Sequence, residues 1–317
     1  MDLMVNDLSL HGQFDDLDAF RESIRRVMQI RAIARRYMRG LYCHRGLVNK
    51  QVTRLQTMPA AVKALPRDEQ RAVMAWLSQH GPFWDDDREH DAGDWYECGE
   101  EIVTDSAVGE AAHCLLHGID RGLVSLEPSD FNHDPVSVER VLGDEERVPV
   151  DVRNFWEPKA VETCLAAAPA ALASWDALGE LAVARFEHLR FAETAFEPLR
   201  AQPFKQGVAE RILALLDVLH RLKQCFDENG SHTDKGHALY QEHFTGDKGW
   251  FSDESATNRT DFKNHMTFPD PDVPGETIFC SWHGKVKTPQ YRIHFSWPVT
   301  AASPVYVVYV GPKITRR

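Results

Sequence analysis

Two histidines, two lysines and an arginine crowd into the stretch "FCSWHGKVKTPQYRIHFSWP" near the C-terminus: His283, Lys285, Lys287, Arg292 and His294. An imidazole of near-neutral pKa can take the proton of a ribose hydroxyl or return one to a leaving oxygen. Lysine and arginine hold phosphate oxygens and stabilise charge that develops on them. These residue types are the parts needed for metal-independent RNA cleavage. In that reading His283 and His294 are the acid/base pair, and Lys285 and Arg292 stabilise the transition state. Lys287, Lys313, Arg316 and Arg317 hold the nucleic-acid backbone. The chemistry requires no metal and no organic cofactor.

Strand periodicity sorts the same residues onto one face, because successive side chains of a strand point in opposite directions. Ile278, Cys280, Trp282 and Val286 share one parity, while Phe279, Ser281, His283, Lys285 and Lys287 share the other. After the turn "KTPQY" the partition repeats, with Tyr291, Ile293, Phe295 and Trp297 opposed to Gln290, Arg292, His294 and Ser296. A hairpin would therefore present His283, Lys285, Lys287, Arg292 and His294 together, backed by an apolar face. Like charges opposite one another cost stability, which points to an anionic ligand. The alternative is a solvated strand face whose charges prevent unwanted edge pairing. The apolar run "PVYVVYVG" supplies a third strand in the middle of the sheet. Charge distribution supports a local basic site: the formal net charge is −12, but residues 276–317 carry three Lys, three Arg and a single acid, Glu276. That leaves the rest of the chain at −17.

The basic strand, the turn, "YRIHF" and a hydrophobic strand ending in a basic tail resemble the C-terminal half of RelE-type toxins, small α+β ribonucleases of toxin–antitoxin modules. The resemblance covers about residues 275–317. It implies that Lys285 and Lys287 match that family's strand lysines and Arg292 its following strand arginine. His294 and Lys313 would stand where members place acid/base or phosphate-binding groups. "FSDES" and "GPKITRR" resemble uncharacterised bacterial proteins of phage-defence neighbourhoods. What these resemblances imply is a cytoplasmic RNA-cleaving effector of a toxin or defence system. A non-catalytic subunit that docks nucleic acid or a second defence-system protein is the alternative.

A second cluster lies in "GEAAHCLLHG", where Glu110, His113 and His117 fall on one helix face beside Cys114. Two histidines four residues apart can share a metal, with a further ligand from His90, Glu97 or Cys98, which would make a metal-dependent hydrolase. Helix-surface or satisfied core histidines explain the same spacing. Asp85, Asp86, Asp87, Glu89, Asp91 and Asp94 form an acidic loop that is either solvated or folded on the basic face as an internal polyanion. Asp247, Lys248, Asp253, Glu254 and Asp261 precede the terminal strands and either line the same site or cap turns. Phosphate-loop, nucleophile-elbow and dinucleotide fingerprints are absent.

The elements that must position these residues follow from periodicity and punctuation. Apolar residues at three- and four-residue spacing predict helices over about 16–40, 66–79 and 207–226, and Ser174 caps another. The seven arginines of the first helix read as a solvated face or, less simply, a nucleic-acid contact. Short strands are expected around 95–98 and 102–104, a helix ending at Gly118, and a strand in "GLVSL". The fold class is α+β: a mixed N-terminal α/β or α+β domain over 1–155, a helical connector over 156–205, and a C-terminal domain over 206–317. In the last, a RelE-like antiparallel sheet packs on helices. Six cysteines without a CxxC pair indicate reduced thiols, and the absence of a leader-like N-terminus or a long apolar run fits a cytoplasmic protein.

Overall fold

A computed structural model describes every residue except Asp87, Ala92, Gly143, Asp144, Glu145, Asp247, Lys248, Thr288, Arg316 and Arg317. The chain forms two compact units, Met1–Ala171 and Leu172–Arg317. The stretch expected as a helical connector is shared between them. Val161 and Leu165 are buried in the core of the first unit, whereas Trp175, Leu178 and Ala182 are buried in that of the second.

The first unit contains, in chain order, β1 (Asp2–Val5), α1 (Leu17–Arg36), β2 (Leu41–Tyr42), α2 (Met58–Lys63), α3 (Arg67–Ala75), β3 (Tyr96–Cys98), β4 (Glu101–Ile102), α4 (Ala107–Leu116), β5 (Arg121–Val124), β6 (Val136–Val141), β7 (Arg147–Val152), β8 (Asn154–Phe155) and α5 (Pro158–Ala167). One sheet runs β2-β1-β5-β8 with every pairing parallel, and a second runs β4-β3-β6-β7 with every pairing antiparallel. Alternation along β1 explains its two helical coverings. Leu3 and Val5 join the cluster of Phe20, Ile24, Val27 and Ile30 from α1, and Met4 joins Ala107, Val108 and Ala111 from α4. Asp16 caps α1, its carboxylate accepting from the Ala19 amide at 2.8 Å. The arginine face of α1 is largely matched by carboxylates: Arg21 and Arg25 meet Glu69, Arg26 meets Glu127 and Glu157, and Arg36 meets Glu162.

The second unit contains α6 (Trp175–Arg185), β9 (Leu189–Phe191), α7 (Glu197–Arg200), α8 (Gln206–Gln224), α9 (Asp234–Phe244), β10 (Phe251–Ser252), α10 (Ala256–Asp261), β11 (Thr267–Pro269), β12 (Thr277–Phe279), β13 (His283–Val286), β14 (Tyr291–Phe295) and β15 (Val305–Pro312). Its sheet runs β10-β13-β14-β15-β9. Pairing is antiparallel from β10 to β15, and β9 joins β15 in parallel. The sheet is thus mixed rather than wholly antiparallel, because β9 comes from the helical stretch before α8. Ile212, Leu215, Leu216 and Leu219 of α8 share a core with Val286, Tyr291, Ile293 and Phe295. The apolar parity of β13 and β14 is the face that α8 covers.

The opposite face is covered as well. After β10 the chain forms α10, a 3-10 turn over Lys263–Met266 and the β11–β12 hairpin. The Cys280 amide donates to the Met266 carbonyl at 2.8 Å, and Met266 and Cys280 are both buried. The Phe268 ring lies 6.0 Å from that of His294 and 6.0 Å from that of Tyr309. The polar segment between β10 and β13 is therefore a second layer.

Candidate nucleic-acid interface on the C-terminal sheet

Pairing of β13 with β14 places His283 opposite His294 and Lys285 opposite Arg292. The hairpin register anticipated from alternation brings these four residues onto one face. The imidazole rings are 5.4 Å apart. The Nδ1–H of His294 donates to the Cys280 carbonyl at 2.9 Å, which leaves its Nε2 buried with no hydrogen-bond partner among the described residues. His283 Nδ1 lies 3.3 Å from the Ser281 carbonyl and 3.8 Å from Glu254 Oε1.

The face is not open. His294 is 0% exposed, His283 4% and Arg292 9%. Burial, then the neighbouring His294, pushes the His283 pKa down to about 3 against the opposing pull of Glu254. Burial also lowers that of His294 to about 4, although the Cys280 carbonyl and Glu254 act in the other direction. Both rings are therefore neutral at pH 7, not poised near it, because the second layer removes the water that would solvate an imidazolium. Arg292 donates from Nη1 to the carbonyls of Tyr291 at 2.8 Å and Val286 at 3.3 Å.

The lysines are more accessible. Lys285 is half-buried, Lys287 exposed and Lys313 half-buried. Burial, followed by the charges of Arg292 and Lys287, lowers the Lys285 pKa. Its cross-strand partner is thus a second cation. Arg316 and Arg317, expected to extend this surface, lie outside the described residues, as do Asp247 and Lys248.

Glu254 is an acid that faces this basic cluster. Its Oε1 accepts from the Thr315 hydroxyl at 2.9 Å, and its Oε2 from the Asn258 amide at 2.7 Å. Burial opposes its ionisation, but those two hydrogen bonds, with His283 and Lys313, hold its pKa below the usual carboxylate value. Thr315 carried no chemical signal of its own in the sequence; only its place after the closing strand could have suggested it. Within the first unit, Asp86 of the acidic loop pairs with Arg45, Asp85 accepts from the Arg45 amide, and Asp94 pairs with Arg140. Asp87 lies outside the described residues.

Glu110, His113 and His117 are not gathered as a metal set. Glu110 accepts from the amides of Glu89 and His90 at 2.8 and 3.3 Å and pairs with His90 Nδ1. His113 Nδ1 meets the Tyr96 hydroxyl at 2.8 Å, and His117 Nδ1 meets the His113 carbonyl at 2.8 Å. Among the described residues no group of three or more His, Cys, Asp or Glu side chains is arranged to hold a metal ion. Helical spacing was insufficient, because Glu110 and His113 turn to residues that precede the helix while His117 turns back to the His113 carbonyl. The described residues also include no helix long and apolar enough to cross a membrane. No family model, no curated protein and no solved structure matches the chain.

Proposed function

We propose that the C-terminal unit docks single-stranded nucleic acid through the cations of its sheet face, as a non-catalytic module. The observation that carries this reading is the cross-strand pairing of Lys285 with Arg292, with Lys287 exposed just beyond. Two cations placed opposite each other are unfavourable in the free protein, and a phosphate between or beside them removes that cost. Phosphate binding by lysine gives a sequence-tolerant, salt-sensitive affinity. The setting, a toxin or phage-defence system, is supported by the likeness of the terminal strands and of "GPKITRR".

A second reading, metal-independent RNA cleavage, is favoured by one feature: the buried His294 Nε2, without a partner among the described residues, beside His283. An imidazole held through Nδ1 with Nε2 free is oriented to accept a proton. RNA reaches it only when the layer formed by 253–281 moves aside.

Labelled single-stranded RNA incubated in EDTA with wild type, Lys285→Ala, Lys287→Ala and His294→Ala separates the readings. Docking predicts binding by the wild type that weakens about threefold to tenfold in each lysine variant. It also predicts a shallower dependence on salt, the log–log slope falling by roughly 0.7 for each phosphate no longer neutralised by a lysine. Binding untouched by either lysine change would remove the docking site from this face. Cleavage by wild type that disappears in His294→Ala would establish the second reading instead, and binding of an acidic peptide in preference to RNA would change the partner class.

A further inference from the structure

The layer over the basic face has a chemical counterpart to the proposed ligand built into it. Glu254 enters from the residue pair before α10, with its side chain 7% exposed, and meets His283 Nδ1 at 3.8 Å and the Thr315 hydroxyl at 2.9 Å. Lys313 adds its charge from the strand end. A hydroxyl donor, an imidazole and a lysine are the groups that would receive a phosphate oxygen. The carboxylate already accepts from the hydroxyl and lies within reach of the charge of the other two. Its own amide is fixed by the Ser281 carbonyl at 3.3 Å, so the carboxylate and the hairpin covering His294 are parts of one layer.

The far end of that layer is held too. Asp272, in the β11–β12 turn, accepts from the Tyr306 hydroxyl at 2.8 Å and pairs with Arg190 at 2.9 Å. Tyr306 and Arg190 are register partners on β15 and β9. Residues 253–281 are thus attached at the β13 side through Glu254 and at the β9 side through Asp272, with His294 enclosed between them.

We infer that Glu254 is an internal anion occupying a phosphate position of the basic face, beside His283 and Thr315, so that segment 253–281 is an autoinhibitory cover which nucleic-acid phosphate must displace. This rests on the docking reading of the same face. A competing internal group reduces apparent affinity by the fraction of molecules in which it is displaced, so weakening its hold raises affinity without any added interaction to the ligand.

The decisive comparison is Glu254→Gln, which keeps the size of the side chain and an acceptor oxygen for Thr315 but removes the charge. With a short fluorescent single-stranded RNA as probe, the variant is expected to bind about tenfold more tightly than wild type. Hydrogen exchange on the wild-type chain gives an independent readout: RNA should accelerate exchange at the amides of Met266, Cys280 and the β11–β12 hairpin. Equal affinity of wild type and Glu254→Gln, with exchange in 253–281 unchanged by RNA, would overturn the cover while leaving docking intact if the lysine variants still lose affinity. Absence of RNA binding in both proteins would overturn docking and the cover with it. Should Glu254→Gln fail to fold, the exchange response of the wild type decides alone.

Discussion

Lys285 concentrates the conflict between stability and binding in a single side chain. It stands opposite Arg292 and near Lys287, half-buried, and its ammonium is disfavoured by burial and by both neighbouring cations. A residue kept only for the fold would be better replaced by an uncharged one of similar length. Lys285→Met should therefore raise thermal stability, by roughly 0.2–1 kcal/mol from the relieved cross-strand repulsion, while lowering affinity for single-stranded RNA. Paired thermal melts and binding titrations check this: a variant that loses both stability and affinity contradicts the argument, because the charge would then be structural. Arg292 is a different case despite its identical parity. Its guanidinium donates to the Tyr291 and Val286 carbonyls, so its removal disturbs the hairpin turn as well as the face. The two cations were equivalent in the sequence, and only backbone geometry separates them.

At the scale of elements, what could be read in advance was whatever is set by local periodicity. The hairpin of β13 and β14 follows from alternation alone, since a shift by one residue would turn Ile293 and Phe295 away from α8. The extent of α8 follows from its leucine spacing. Non-local pairings were hidden. β9 joins β15 in parallel across more than a hundred residues, and β1 pairs with β5 across a similar gap, with no local signal for either. The alternation in "VSVERV" and "RVPVDV" would have identified the β6–β7 hairpin, with Val136, Val138 and Val152 inward. The cover was hardest to read. Its polar sequence fits an exposed loop, yet Met266, Phe268 and Cys280 lie at intervals that let one side of it settle on His294. Its latch gives an element-level prediction. Asp272→Ala removes the acceptor for Tyr306 and Arg190 and should speed exchange in β11 and β12, with a modest gain in RNA affinity of about twofold to threefold. Unchanged exchange in that hairpin would show that Asp272 does not hold the cover.

Across the whole molecule, acidity and burial combine to set how the C-terminal unit responds to pH. His283 is surrounded by His294, Glu254 and Arg292, and His294 by His283, Glu254, Arg292, the Cys280 carbonyl and the Tyr309 ring. Both imidazoles have folded pKa values below the ordinary 6.5, about 3 and about 4. In this range the unfolded chain binds protons that the folded chain refuses, so the stability these residues confer is complete above pH 6.5 and declines as pH falls toward 4. The lowering at His294 alone corresponds to roughly 3 kcal/mol by the time its folded pKa is reached. Glu254, held below its usual value, acts in the same direction at still lower pH, since its ionised form favours the fold. Native-state hydrogen exchange at the Ile293 and Phe295 amides of β14, measured between pH 7 and 4.5 and corrected for intrinsic rates, isolates this unit from the other. The opening free energy should fall steadily over that interval in the wild type and fall less in His294→Gln. Parallel pH profiles for the two proteins would mean that the buried imidazoles do not govern the acid response. The neutral pair would then be packing alone.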